Sequence, residues 1–358
     1  MSSQRYLVTG ATGFLGRHLL EHLHRESPLN EALPLVRDPQ SWQAQDWTRS
    51  LRVGPVISAE LSELPQRHAE LGTLNGIFHL AALVRHSRAN SAEVYATNVE
   101  GTLEMVRLAA AKQCRMVYVS TSGTVGVFDT RQEWADEHSP YREREIARWP
   151  YYDSKLKAER AARKLADQLG VELVVLRPPV LLGPGDHRFR STSHIIRYMR
   201  GKLPFLIQGG MHFIDIRDAS AAISRAMQHP SPQPVYHLSG VACTIDNFFG
   251  MVEVASGVAP PRMHLPHPLA LALAKTGAGL AAMVPGLESP LPDPVVVEMA
   301  GKYWDVRSRY AAGDLGFLNR NGQTTINETV AWLRQHHPQL KHSPAKETMS
   351  MNEEALNS

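Results

Sequence analysis

The chain has 358 residues, a length that suits two compact units better than one. Hydrophobic residues make up 43% and charged residues 20%, which is the balance of a soluble globular protein. A net charge of +3, with no basic stripe among aromatic residues, gives no basis for nucleic-acid binding. The chain has two cysteines, Cys114 and Cys243, and no CxxC motif. We therefore predict no disulfide framework and no zinc site, no signal peptide ahead of "YLVTG", and a reducing cytoplasm as the location.

Short apolar runs alternate with helical patterns over the first 180 residues, which predicts a parallel sheet wound with helices. Strands are predicted at residues 6–10, 32–37, 56–61, 76–82, 116–122 and 172–178. Pro34 falls in the second of these strands and suits a strand start or a bend. Helices are predicted at residues 13 to about 25, 92–112 and 151–169.

The alternation of apolar runs and helical patterns ends after residue 178, where "PPVLLGPGDHRFRSTS" predicts a loop. Beyond it we expect a helix at 194–200, a strand and helix within 212–228, a strand at 234–240 and a final amphipathic helix at 326–337. The predicted fold class is α/β, a Rossmann-type doubly wound parallel sheet with a smaller, mostly helical C-terminal substrate domain. Residues 1–182 and about 213–240 would bind the dinucleotide, residues 183–212 and 241–340 the substrate, and 341–358 would form a disordered tail.

One apolar stretch, residues 268–287, raises the question of a membrane. Lys275, three glycines and Pro285 interrupt it, so a spanning helix is a poor fit. We expect an apolar helix of the substrate domain, with surface attachment to a membrane as the alternative. Three histidines near the first helix, at positions 18, 22 and 24, lack cysteine or acidic ligands in a fixed geometry, so no metal site is predicted.

A glycine-rich loop, "TGATGFLG", lies between the first strand and the first helix. Its GxxGxxG spacing permits a tight turn, and backbone N–H groups at a helix N-terminus favour a pyrophosphate. The pattern predicts a nicotinamide dinucleotide bound by Gly10, Thr12, Gly13, Phe14 and Leu15.

The end of the second strand predicts which dinucleotide is bound. Arg37 follows Gly16 by twenty-one residues, where an arginine accommodates the 2′-phosphate of NADP. Asp38 follows directly, and a shift of one residue would place an acid there to hold the ribose hydroxyls of NAD. We favour NADP(H) over NAD(H), and the choice stays open.

The stretch "WPYYDSK" contains two adjacent tyrosines and Lys155. A phenol has a pKa of about 10, so it is a poor base unless a cation favours its anion, and a lysine four residues along a helix lies on the same face. Ser122 ends a predicted strand, where open α/β sheets bind ligands. The other interpretation is a packing tyrosine and a solvated lysine, but the glycine loop and the strand-end serine favour a catalytic site.

Six motifs occur in one order over roughly the first 220 residues, namely "TGATGFLG", "FHLAA", "TNVEGT", "VSTSGTVG", "YYDSK" and "LRPPVLLGPGD". With them the chain resembles an extended short-chain dehydrogenase/reductase of the NAD-dependent epimerase/dehydratase superfamily. The resemblance implies a YxxxK pair in which Tyr151 transfers a proton and Lys155 also binds the nicotinamide ribose. It makes Ser122 the group that polarises the substrate carbonyl and leaves Tyr152 as a pocket wall or core residue.

The resemblance also implies further cofactor contacts. Glu60 replaces a more usual aspartate near the adenine, which puts that contact in doubt. Asn98 is expected to be structural. The remaining implied contacts are Leu61, then Leu80, Ala81 and Ala82 on the phosphate side, and Pro178 and Val180 near the nicotinamide.

Within the superfamily the chain looks most like the branch of dihydroflavonol reductases and 3β-hydroxysteroid dehydrogenases. Thr121 lacks the Asp–Glu pair that follows it in sugar-nucleotide dehydratases. The branch implies interconversion of a ketone and a secondary alcohol on an apolar, steroid-, flavonoid- or keto-acyl-like small molecule, and a homodimer built on a four-helix bundle. The alternatives are a nucleotide-sugar epimerase that retains its cofactor and a non-catalytic NADP-binding regulator.

Overall fold

A computed structural model describes residues 3–27, 29–261, 263–283 and 292–340 of the chain. The strands are β1 (Arg5–Thr9), β2 (Glu31–Val36), β3 (Ile57–Ser58), β4 (Gly76–His79), β5 (Arg115–Val119), β6 (Val127–Phe128), β7 (Leu173–Arg177), β8 (Val180–Leu182), β9 (Leu206–Ile207), β10 (Gly210–Asp215), β11 (Val235–His237), β12 (Val241–Thr244), β13 (His264–Leu265) and β14 (Tyr303–Trp304).

The helices are α1 (Phe14–Glu26), α2 (Pro39–Gln43), α3 (Ser91–Tyr95), α4 (Gly101–Lys112), α5 (Glu143–Ile146), α6 (Pro150–Leu169), α7 (Ser193–Met199), α8 (Ile216–Gln228), α9 (Ile245–Ser256), α10 (His267–Met283), α11 (Pro294–Ala300), α12 (Ala311–Asp314) and α13 (Gly322–His336). A π-helical turn at Ala96–Glu100 joins α3 to α4.

Seven strands form the central sheet in the order β11-β7-β5-β4-β1-β2-β3, and all their pairings are parallel. Leu7 of β1 pairs with Leu33 on one side and Ile77 on the other, and all three are fully buried. Such apolar strands are typical of a parallel sheet covered on both faces. The strand order reverses beside β1, so a crevice opens at the carboxyl ends of β1 and β4, where ligands bind in this class of sheet. The predicted Rossmann-type fold is confirmed.

Helices cover both faces of this sheet because each presents an apolar stripe to it. On one face α1 and α8 pack through residues such as Leu19 and Ile223. On the other, α4 and α6 pack through Met105 and Ala162. Helix α6, which carries the "YYDSK" segment, therefore lies directly against the sheet.

A second sheet and several helices form around residues after 178. Strand β10 pairs in parallel with β8 and antiparallel with β12. Phe213, Phe248 and Leu333 belong to the apolar core of this region, which α7, α9 and α13 also line. The region begins close to the predicted boundary at residue 182, and the division of the chain into two domains stays a prediction.

Several details of the predicted strands are wrong. The strands predicted at 76–82 and 116–122 end at His79 and Val119, so Ser122 lies in the turn after β5. The strand predicted at 56–61 ends at Ser58, because the Glu60 and Glu63 side chains each bind the other's backbone and wind the chain into a turn. Pro34 lies inside β2 opposite Val8 rather than at its start. Strand β2 pairs with β3 only at Leu35 and Val36, so no ladder bond is needed beside Pro34 on that side.

The apolar stretch forms most of α10, which packs Ala270 and Ala274 into the core and exposes Leu269 and Leu273. Among the helices that the structure describes, none has the length and apolarity needed to cross a membrane. The end of this stretch, residues 284–287, and the predicted tail at 341–358 lie outside the described residues.

Candidate active site

The predicted lysine and serine lie at the carboxyl end of β5, and the predicted tyrosine precedes the lysine on α6. Lys155, which is 2% exposed, donates a hydrogen bond from Nζ to the Val119 carbonyl oxygen at 2.7 Å. Ser122 lies three residues farther along and donates its backbone N–H to the Pro178 carbonyl oxygen at 2.9 Å. Tyr151 stands one helical turn before Lys155 on α6. The site is thus held between the ends of β5 and β7 and the first turns of α6.

Two hydroxyl groups of this site are free to bind a ligand. Within the described residues, neither the Ser122 nor the Tyr151 hydroxyl makes a hydrogen bond to the protein. Ser122 is only 5% exposed, yet neither its hydroxyl oxygen nor that of Tyr151 is sealed off from solvent, so a ligand can reach both. Together with the Lys155 cation, these hydroxyls suit a carbonyl oxygen or an alcohol.

Burial sets the protonation of the pair. It raises the pKa of Tyr151 to about 12. It lowers the pKa of Lys155 to about 7, although the nearby Glu159 carboxylate opposes that shift. The sequence led us to expect that Lys155 lowers the tyrosine pKa. The burial of Tyr151 acts in the other direction, and the effect of Lys155 on that pKa stays a prediction. The lysine ammonium is tethered to Val119 and is itself disfavoured by desolvation, so Tyr151 is a neutral acid at pH 7.

Tyr152 is packed into an aromatic stack instead. Its ring lies between those of His86, at 5.9 Å between centroids, and Trp304, at 5.2 Å. A Cβ on Gly123 would overlap Cε1 of the same ring. This packing agrees with the predicted role of Tyr152 as a wall or core residue, and it lets β5 and α6 approach closely at Ser122.

Gly123→Ala is expected to destabilise the fold by about 1–3 kcal/mol, because the wedged Tyr152 ring cannot move without disturbing its stack. The measurement is urea unfolding. Gly250→Ala is the matched control: a Cβ there meets nothing within 4 Å in the middle of α9, so a gain of about 0.5–1 kcal/mol is expected. Equal effects of the two changes would contradict the packing argument.

A buried ion pair lies one turn beyond Lys155 on α6, and the sequence reasoning missed it. The Glu159 carboxylate is fully buried and accepts hydrogen bonds from Ser120 Oγ at 2.7 Å and Tyr141 Oη at 2.9 Å. It also accepts from Arg177 Nε, at 3.1 Å to Oε1, and Arg177 is 2% exposed. The KxxxE spacing was a signal for it, since it places Glu159 on the face of α6 that carries Lys155.

The glycine loop fits a dinucleotide. Gly10 has φ +69°, and a Cβ there would lie 2.8 Å from the Ala81 nitrogen, while a Cβ on Gly16 would overlap the Gly10 carbonyl oxygen. Helix α1 begins at Phe14 after Gly13, and no side chain caps it. Its first amides are therefore available to a pyrophosphate, which the helix dipole also favours.

Hydrogen bonds from Thr9 fix the loop after β4. Its Oγ1 accepts from the N–H groups of Leu80 and Ala81, both at 3.1 Å. The predicted contacts Leu80 and Ala81, with Ala82 next to them, thus face the glycine loop with these two amides already bonded. Asn98 binds both backbone groups of Leu83, through Oδ1 at 2.7 Å and Nδ2 at 3.1 Å, which agrees with its predicted structural role.

The remaining predicted cofactor residues lie on several separate elements, at the ends of β2 and β7, in the turn after β3 and in β8. Arg37 is exposed at the end of β2, and within the described residues it has no hydrogen bond or ion pair. The Asp38 carboxylate accepts from the Gln40 N–H at 2.9 Å and caps α2, while Glu60 is exposed in its own capping turn beside Leu61. Val180 pairs with Phe213, two residues after Pro178 binds Ser122.

A parallel sheet with a glycine loop at the mouth of its first helix defines a dinucleotide-binding Rossmann enzyme fold. The chain belongs to the NAD dependent epimerase/dehydratase family, whose model matches residues 6–239. The predicted family and the nicotinamide cofactor class are thereby confirmed.

Similar proteins include reductases. A 4-hydroxy-2-methyl-3-oxo-4-farnesyl-3,4-dihydroquinoline-1-oxide ketoreductase of Stigmatella aurantiaca is 28% identical over 93% of this chain and 97% of its own length. A dihydroflavonol 4-reductase of Zea mays is 30% identical over 69% of this chain and 73% of its own. The crystal structure of gox2253 superposes with a TM-score of 0.77 at 25% identity, covering 94% of this chain and 99% of that one. These findings confirm the prediction of an NAD(P)-dependent reductase or dehydrogenase of the extended short-chain type.

Proposed function

We propose that this protein uses NADP(H) to interconvert a ketone and a secondary alcohol on a fairly apolar small molecule. The observation that carries the proposal is the pair of unbonded hydroxyls, Ser122 and Tyr151, beside the tethered Lys155 at the carboxyl end of β5. A nicotinamide supplies or accepts the hydride when it is bound. Everything else in the reaction is assigned to residues of this chain.

In the reductive direction, Ser122 and Tyr151 hold the carbonyl oxygen between two donors. Tyr151 then gives its proton to that oxygen, which is consistent with a phenol whose pKa is raised to about 12. Lys155, held by Val119, stabilises the phenolate that remains and positions the ribose of the cofactor. Glu159 keeps a negative charge beneath the lysine and so favours its protonated form.

The choice of NADP(H) rests on the end of β2. The Asp38 carboxylate is committed to the Gln40 N–H, whereas the Arg37 guanidinium is exposed. A planar guanidinium suits a phosphate, whereas the Asp38 carboxylate caps the start of α2.

An apolar substrate is supported by the aromatic wall of the site and by the similar proteins. His86 and Trp304 flank Tyr152, and His86 also meets the Tyr151 ring edge-on at 5.3 Å. The names of the similar ketoreductase and dihydroflavonol reductase refer to substrates that contain rings. A homodimer through a four-helix bundle stays a prediction, which sedimentation of the purified protein would test.

The test is oxidation of NADPH and NADH against steroid, flavonoid, β-keto-acyl and sugar-nucleotide carbonyls. We expect turnover of an apolar ketone with NADPH preferred. Tightly retained cofactor without net NADPH consumption would indicate an epimerase instead. Failure of every carbonyl, together with a co-purifying protein partner, would indicate a regulator.

The pH dependence of reduction should follow Lys155. Its pKa is lowered to about 7, so kcat/KM is expected to fall as pH rises through about 7 and the lysine loses its charge. Lys155→Arg should move this fall in kcat/KM to well above pH 9, because a guanidinium keeps its proton there. The measurement is kcat/KM from pH 5.5 to 9.5 with a ketone that the wild-type protein reduces. A fall at an unchanged pH in Lys155→Arg would assign it to another group.

A further inference from the structure

A loop from the second sheet reaches back to the glycine loop. We call residues 183–192, which follow β8, the return loop. Its Arg188 donates a hydrogen bond from Nη2 to Thr12 Oγ1 at 3.1 Å. The Pro184 carbonyl oxygen accepts another from His18 Nε2, on α1, at 2.9 Å. The return loop therefore lies across the start of α1, beside the amides that suit a pyrophosphate.

The return loop is held in a defined shape. Asp186, which is 2% exposed, accepts hydrogen bonds from the N–H and the hydroxyl of Thr192, both at 3.0 Å. Phe189 has φ +51°, a left-handed conformation that non-glycine residues seldom adopt, and its ring packs against His337 at 4.7 Å and Trp332 at 5.8 Å. This packing compensates the strain, so Arg188 projects from a preformed turn.

Arg188 lies near other guanidinium groups. Its nearest acid, Asp186, is bonded to Thr192, and Arg188 has no ion pair within the described part of the chain. Burial and then the charges of Arg190 and Arg37 lower the pKa of Arg188. Close by, Arg17 carries a buried Nη1 that has no hydrogen-bond partner. The Arg17 Nε is paired with the Glu21 carboxylate at 2.7 Å, whereas Arg188 and Arg37 make no ion pair within the described residues. Guanidinium groups that lie close together and lack carboxylate partners are typical of a phosphate site.

We propose that Arg188 joins Arg37 in binding the 2′-phosphate of NADP, with Thr12 linking the return loop to the glycine loop. The inference rests on the proposed use of NADP(H) and extends it to a residue outside all six motifs, two positions after the last of them ends. It makes cofactor choice depend on the return loop, which packs on α13 of the second region. Charged hydrogen bonds to a phosphate monoester supply the specificity.

The test measures binding without turnover. Isothermal titration of Arg188→Gln with 2′,5′-ADP and with NADPH should give a Kd about 10- to 100-fold above wild type. The Kd for 5′-AMP and for NADH should change less than about threefold. Arg131→Gln removes the same charge at an exposed position elsewhere and should leave all four values unchanged. Arg188→Lys should recover part of the 2′,5′-ADP affinity.

Other outcomes would overturn the assignment. Equal weakening of NADPH and NADH would mean a pyrophosphate contact or a damaged fold, and unchanged affinities would mean that Arg188 is not a ligand. Wild-type protein that binds 5′-AMP as tightly as 2′,5′-ADP would also refute it. If instead 2′,5′-ADP is discriminated but no ketone is reduced, the phosphate site stands and the proposed reaction falls.

Discussion

Tyr151→Phe should lower kcat for ketone reduction by about 10²- to 10⁴-fold, which is the usual contribution of a general acid. The phenylalanine keeps the ring against His86 but has no proton to give to the carbonyl oxygen. The Kd for NADPH, measured by titration, should change little, because the glycine loop and its helix are untouched. A loss of kcat with cofactor binding kept identifies a role in the chemical step.

The neighbouring tyrosine provides the control. Tyr152→Phe keeps the ring that stacks on Trp304 and rests on Gly123, so it should retain most of the activity. A dead Tyr152→Phe beside an active Tyr151→Phe would overturn the assignment of the acid. Loss of activity in both would instead indicate that the aromatic stack as a whole positions α6.

Glu159→Gln should destabilise the protein by about 3–5 kcal/mol in urea unfolding, because it leaves the buried Arg177 guanidinium without a counter-charge. The amide preserves the shape of the side chain, so loss of packing contributes little. It also removes the charge that favours protonated Lys155. The fall of kcat/KM with rising pH that we assign to Lys155 should therefore shift to lower pH.

Two comparisons isolate the buried charge. Glu143→Gln breaks an exposed pair between Glu143 of α5 and Arg160 of α6 and should cause no measurable change in stability. The double variant Glu159→Leu/Arg177→Met removes both charges and should recover a large part of the stability lost in Glu159→Gln. If Glu159→Gln were no less stable than Glu143→Gln, the pair would be solvated rather than buried.

Much of this molecule could be predicted from local patterns. The apolar runs of β1, β4 and β5 and the stripes of α1 and α6 repeat with the periods of strand and helix, so the sequence indicated a parallel sheet. "TGATGFLG" and the Tyr151–Lys155 spacing depend only on neighbours along the chain, and the structure places both beside the sheet's carboxyl edge. These local patterns determine the class of fold and the place where a ligand binds.

Tertiary structure decided the energetics of the site. The pKa of Tyr151 rises because atoms distant in sequence exclude water, and Glu159 meets Arg177 only after β7 lies beside α6. Likewise Arg188 reaches Thr12 across 176 residues because Asp186 and Phe189 shape the return loop. Desolvation and long-range ion pairs depend on which segments meet in space, and no local period in the sequence encodes that.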